Sequence, residues 1–63
     1  MNDSDLDAAY TRLCHRMTTL GEAQMPLYLA RFALLAMTRI GDRAAVDQMI
    51  DEAAADLPQQ AYS

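Results

Sequence analysis

Apolar residues recur in steps of three and four along most of this 63-residue chain, which is the spacing of one face of an α-helix. The apolar stripes form three blocks, and Gly21 and Gly41 separate them. No stretch alternates apolar and polar residues in the way that a half-exposed strand does. The pattern predicts three helices, at about residues 4–20, 25–40 and 43–57, followed by a tail at 58–63.

The residues at the ends of these blocks are types that start and stop helices. Ser4 is predicted to cap the first helix, with Asp7 three residues later forming a capping box. Pro26 fits the first turn of the second helix, where a backbone N–H has no partner inside the helix. Asp42 is the predicted N-cap of the third helix, and Pro58 is its predicted stop.

Helices of this length with short connections pack antiparallel to their neighbours. The expected fold is therefore all-α: a small antiparallel three-helix bundle in a single domain at 1–63, with the second helix in the middle. A chain this short buries only about 60% of the surface that its unfolded form exposes. Its one cysteine, Cys14, cannot close a disulfide within the chain. We therefore expect association to complete the bundle.

The second helix carries more apolar side chains than one small core can use. On a helical wheel, Leu27, Leu34 and Leu35 fall outside the arc that can form the core, and they surround Arg31 and Thr38. An exposed apolar patch of this kind marks a partner surface. The alternative is that the flanking helices wrap the middle one and bury these leucines. We predict a partner interface of Leu27, Arg31, Leu34, Leu35 and Thr38.

The remaining arc of this helix is the one predicted to form the core. Outside that arc, Arg31 lies beside the leucines. Arginine is enriched at interfaces and is rarely buried without a paired charge, so Arg31 fits a partner surface that offers a carboxylate. The core arc consists of Met25, Tyr28, Leu29, Phe32, Ala33, Ala36, Met37 and Ile40.

Composition excludes several classes of function. The chain has nine Asp and Glu against five arginines and no lysine, for a formal net charge of −4, and the arginines are scattered, which argues against nucleic-acid binding. The apolar run at 25–40 is too short to span a bilayer and contains Arg31. The N-terminus lacks the basic start and apolar run of a signal peptide. We expect a cytoplasmic protein that binds neither nucleic acid nor membrane.

The only residues that invite a chemical role are Cys14 and His15. Neighbours on a helix point about 100° apart, so the two do not form a nucleophile and base pair. A metal site would need carboxylates from the third helix, such as Asp47 or Asp51. We predict no catalytic, cofactor-binding or metal-binding residues, no cofactor and no enzymatic activity. The second hypothesis is a small ligand or metal carrier that uses the bundle interior, with Cys14 and His15 near its rim.

The segments 21–24, 29–35 and 40–42, with the run Leu-Ala-Arg-x-x-Leu-Leu leading into Ile-Gly-Asp, resemble a family of short bacterial helical proteins of unknown function. The resemblance covers about Leu6 to Leu57. Genes of this family often lie near those of flavin-dependent aromatic hydroxylases. The resemblance implies an accessory role beside a larger oxidoreductase and assigns no catalytic residue.

These observations lead to one main hypothesis. The chain is a non-catalytic helical interaction module, either a homo-oligomer such as a homodimer or a small accessory subunit of a larger bacterial catabolic enzyme. Its partner is a second copy of itself or that enzyme.

Overall fold

The computed structural model describes residues 1–59 and is helical for most of that length. Helix α1 is Asp3–Leu20, α2 is Met25–Ile40 and α3 is Arg43–Ala54. The described residues form no strand. The all-α fold is therefore confirmed, and so are the predicted limits of the second helix.

The first helix begins with a different cap from the one predicted. Asn2 has extended backbone angles, and its side-chain oxygen accepts a hydrogen bond of 2.8 Å from the N–H of Asp5. The N–H of Leu6 donates to the Asn2 carbonyl at 2.9 Å, which is the first bond of the helix. Ser4 lies inside the first turn, so its assignment as N-cap with an Asp7 capping box was wrong. Asn and Ser are comparably good caps, and the helix begins at the earlier of the two.

Both glycines end helices, as the sequence predicts. Gly41 has a φ of +68° and lies in the left-handed region, which costs glycine little because it has no Cβ. Its N–H donates to the carbonyl of Met37 at 2.9 Å. Gly21 also has a positive φ, +86°, and donates to the carbonyl of Met17 at 3.0 Å. These two residues satisfy carbonyls that the helix ends would otherwise leave without a donor.

The third helix starts as predicted and ends earlier than predicted. The Asp42 carboxylate accepts a hydrogen bond from the N–H of Ala44 at 3.2 Å, which confirms it as the N-cap. The helix stops at Ala54, so Leu57 lies outside it and the predicted end at residue 57 was wrong. A residue before proline avoids the helical region, and Pro58 imposes this on Leu57. Asp56 makes the turn with a φ of +65°. Of the predicted tail, residues 60–63 lie outside the described residues.

The three helices are joined at short turns and diverge from them. Helix α2 contacts both α1 and α3, whereas α1 and α3 do not contact each other in the described part of the chain. Residues 12 or more apart along that part never bring their Cα atoms within 8 Å. The radius of gyration is 13.9 Å, against about 11 Å for a compact chain of this length. A bundle that association completes stays a prediction.

No residue is fully buried in the part of the chain that the structure describes. The best-covered side chains are half-buried and lie where α2 meets its neighbours, among them Leu13 and Met17 of α1, Tyr28 and Met37 of α2, and Val46 of α3. Several members of the predicted core arc remain open to solvent. Leu29 and Phe32 are 41% and 51% exposed. The helices alone therefore do not enclose a core.

The corrected cap of α1 gives a testable prediction. We expect Asn2→Ala to lower the free energy of unfolding by about 1 kcal/mol, because the N–H of Asp5 loses its acceptor. Ser4→Ala is the matched control and should change it by less than about 0.5 kcal/mol. Urea unfolding followed by circular dichroism, at one fixed protein concentration, measures both. A larger loss of unfolding free energy for Ser4→Ala than for Asn2→Ala would show that Ser4, and not Asn2, caps the first helix.

Candidate interaction surfaces

The predicted interface residues lie together on one exposed side of α2, which we call the outer face: Leu27, Arg31, Leu34, Leu35 and Thr38. Leu27, Leu34 and Leu35 are 51%, 64% and 58% exposed. The alternative in which α1 and α3 wrap α2 and bury these leucines is not what the structure shows. Whether a partner covers the outer face stays a prediction.

The two polar members of the outer face differ in how their polar atoms are satisfied. The Thr38 hydroxyl donates to the carbonyl of Leu34 in its own helix at 2.9 Å. Its hydrogen-bonding capacity is thus partly used, which makes Thr38 compatible with an apolar surface. Arg31 is exposed and forms no ion pair within residues 1–59. Its guanidinium remains available for a carboxylate.

A second apolar surface lies on the opposite side of α2, where two grooves meet at Phe32. The groove between α1 and α2 has a volume of about 450 Å³ and is lined by Ala9, Leu13, Tyr28 and Phe32, with Arg12 and Arg16. The groove between α2 and α3 has a volume of about 250 Å³, and its lining is wholly apolar. Both grooves are open because α1 and α3 diverge from α2. We call this combined surface the inner trough.

Sequence reasoning missed the inner trough as a surface. The wheel assigned Phe32, Ala36 and Ile40 of α2 to an arc that forms a core. In the structure these residues line the open groove between α2 and α3. Periodicity identifies the apolar side of each helix, and the same pattern results whether that side meets a neighbour in the same chain or in another.

Charged groups in the described chain are solvent-exposed. Arg43 Nε lies 3.0 Å from Asp47 Oδ2 one helical turn later, and this is the only ion pair among residues 1–59. Such an exposed pair contributes about 0.3–0.5 kcal/mol. Arg12, His15, Arg16 and Thr19 line a shallow cavity of about 280 Å³ on α1. The arrangement makes a positive patch on an otherwise acidic chain.

The two residues considered for chemistry lie in different surroundings. Cys14 is half-buried on α1, and His15 is exposed. No three His, Cys, Asp or Glu side chains within the described ranges come together as a metal site would require. Asp47 and Asp51 therefore do not join His15 in such a cluster. None of the described helices has both the length and the apolar character needed to span a bilayer.

No protein-family model matches the chain, and neither curated proteins nor solved structures provide a match. The resemblance to the short bacterial helical family therefore stays a prediction. So does the expectation that the chain is not an enzyme.

Cys14 is half-buried and His15 is exposed, and this predicts the effect of replacing each side chain. We expect Cys14→Ala and His15→Ala to keep the helical circular dichroism signal and the mass of the native assembly. Neither side chain makes a hydrogen bond within the part of the chain that the structure describes. Elemental analysis of the purified wild-type and variant proteins is the second measurement. Stoichiometric metal in the wild type that either substitution removes would contradict this prediction and favour the carrier hypothesis.

Proposed function

We propose that the chain is a non-catalytic helical interaction module. It associates with itself to cover the inner trough, and its outer face docks on a larger protein to which it is an accessory subunit. The larger bacterial catabolic enzyme, an oxidoreductase, is the partner that the sequence resemblance implies. The proposal keeps the cytoplasmic location expected from the sequence.

The observation that carries this proposal is the amount of surface that the single chain leaves open. Its accessible surface is 5953 Å², whereas a compact monomer of this mass exposes about 4,000 Å². Ordering the chain costs about 1.5 kcal/mol per residue, and only burial of apolar surface offsets a cost of that size. A chain with no buried residue in its described part lacks that compensation. A partner that covers the apolar surface supplies it.

The size of the excess supports a permanent association rather than a brief encounter. One chain exposes about 1,900 Å² more than a compact monomer, so two copies have about 3,800 Å² of excess surface between them. Obligate homodimers bury about 2,000–5,000 Å² in total. Crystal-packing contacts bury less than about 800 Å². The surface available here is thus of the size that obligate assemblies use.

The outer face is suited to a partner other than the one that fills the inner trough. It has three exposed leucines around one arginine. The leucines would bury apolar surface against the partner, and Arg31 would fix the orientation of the complex by pairing with a carboxylate. Because Arg31 has no acidic partner within residues 1–59, it can form an ion pair with a carboxylate of another protein without first breaking an ion pair within those residues. An acidic group framed by apolar residues is the chemistry expected of the docking site.

Self-association predicts the mass of the protein in solution. We expect size-exclusion chromatography with light scattering to give an integral multiple of 7.0 kDa greater than one. Dilution should lower the mass and the helical signal together, because the helices and the assembly stabilise each other. A monomer of constant mass that unfolds cooperatively at every concentration would overturn the proposal.

The outer face gives a separate prediction. We expect Leu34→Asp to weaken retention of the larger partner by about tenfold or more, because a carboxylate replaces an apolar contact in the middle of the face. Leu34 lies one turn from Arg31, so pairing with the guanidinium offsets part of the lower helix propensity of aspartate. Gln48→Asp adds the same charge to α3 and is the matched control.

The measurement is affinity purification of the tagged wild type and both variants from the cells that express the protein, with mass spectrometry of what is retained. The expected result is a protein that the wild type and Gln48→Asp retain and that Leu34→Asp loses. Equal retention by all three would show that the outer face does not dock the partner.

A further inference from the structure

The apolar stripe of α2, which includes the α2 residues that line the inner trough, is symmetric about its own centre. The midpoint of α2 lies between Phe32 and Ala33. Each residue of this stripe on one side of the midpoint has an apolar counterpart, also in the stripe, at the same distance on the other side. The pairs are Met25 with Ile40, Tyr28 with Met37, Leu29 with Ala36, and Phe32 with Ala33.

Such a stripe can face a second copy of itself in the antiparallel direction. A two-fold axis through the midpoint would place Phe32 of each copy against Ala33 of the other, and Leu29 against Ala36. In both pairs a large side chain meets a small one, which is the arrangement that lets helices approach closely and interdigitate. A self-complementary patch is what a two-fold homodimer requires.

The outer face does not have this property. The same reflection places Leu27 against Thr38 and Arg31 against Leu34. It also places the two Arg31 side chains on either side of the two-fold axis, about 4.5 Å apart along the direction of the helices. Like charges placed together in an apolar interface oppose association. A second copy is therefore favoured on the inner trough and disfavoured on the outer face.

The geometry of the single chain leaves room for the second copy. Helix α1 contacts α2 only near their shared turn, and α3 does the same at the other end, so the middle of α2 is uncovered. Phe32 lines both grooves and is 51% exposed, although it is the only phenylalanine in the chain. Leu29, one turn before it, is 41% exposed. Phe32, on one side of the midpoint, is the most exposed residue of the symmetric stripe, and Ala33 on the other side is half-buried.

We propose that a second copy of this chain docks in the inner trough, with the two α2 helices antiparallel around a two-fold axis beside Phe32 and Ala33. This inference rests on the proposed self-association and specifies its geometry. The diverging α1 and α3 of each copy then flank the paired α2 helices, and the excess surface of each chain faces the other. The two outer faces point away from the axis and stay free for the larger partner.

Cysteine pairs test this geometry. In a Cys14→Ser background, chains carrying Leu29→Cys are mixed with chains carrying Ala36→Cys, unfolded in urea, refolded together and mildly oxidised. Positions 29 and 36 of one helix are about 10 Å apart, too far for a disulfide within a chain. The antiparallel arrangement brings position 29 of one copy to position 36 of the other. We expect a cross-linked dimer from the mixture and little from either variant alone.

The matched control is the pair Leu27→Cys and Thr38→Cys, which an equivalent two-fold axis on the outer face would bring together. We expect this mixture to remain at least tenfold less cross-linked than the mixture at positions 29 and 36. Light scattering on the reduced Cys14→Ser protein establishes its mass independently of cross-linking.

Each other outcome overturns a defined part of the proposal. Cross-linking at 27 and 38 but not at 29 and 36 would move the second copy to the outer face. Cross-linking of Leu29→Cys alone, through position 29 of both copies, would show parallel helices. An oligomer without a cross-link at 29 and 36 would remove the proposed axis and leave self-association standing. A monomeric mass would instead overturn the proposed function itself.

Discussion

The apolar side chains of α2 must be removed from water, and a single copy of this chain does not supply the surface to cover them. The exposure of apolar side chains throughout the described residues reflects this shortage. The neighbouring helices touch α2 only beside the turns, and no residue in the described part is buried. Hydrophobic stabilisation scales with the area removed from water, so a chain with so much open surface gains little of it. We propose that another chain supplies the missing burial.

Local interactions hold the helices in shape, although they cannot replace the burial of apolar surface. Asn2 and Asp42 cap the starts of α1 and α3, and Gly21 and Gly41 close the ends of α1 and α2. Each such feature contributes about 1 kcal/mol and acts within one turn. Isolated helices of 12–18 residues are nevertheless marginal in water, since nucleation is costly. Under the proposed self-association, folding and association are coupled in the way typical of obligate assemblies.

The two sides of α2 differ in the kind of partner surface that each would suit. The α2 side of the inner trough is apolar and follows the symmetric stripe, which suits a second copy of the same surface, whereas Arg12 and Arg16 of α1 border one of its grooves. The outer face combines leucines with an arginine that has no ion pair within residues 1–59, which suits a surface of different and complementary chemistry. The contrast arises from where the polar residues stand on a single helix. Arg31 and Thr38 fall on the outer side, and none of the α2 residues that line the two grooves is charged.

The sequence by itself determined the helices and most of their limits, because caps, glycine stops and proline act through bonds and steric clashes within a few residues. It placed α2 at 25–40 and Asp42 as a cap, and it failed where two local signals competed, as with Asn2 and Ser4. It also identified the outer face, since helical periodicity alone separates Leu27, Leu34 and Leu35 from the core arc. Only the tertiary structure decided that the core arc is open too. How far α1 and α3 diverge depends on the relative placement of whole helices, and a hydrophobic stripe is the same whether its cover belongs to its own chain or to another.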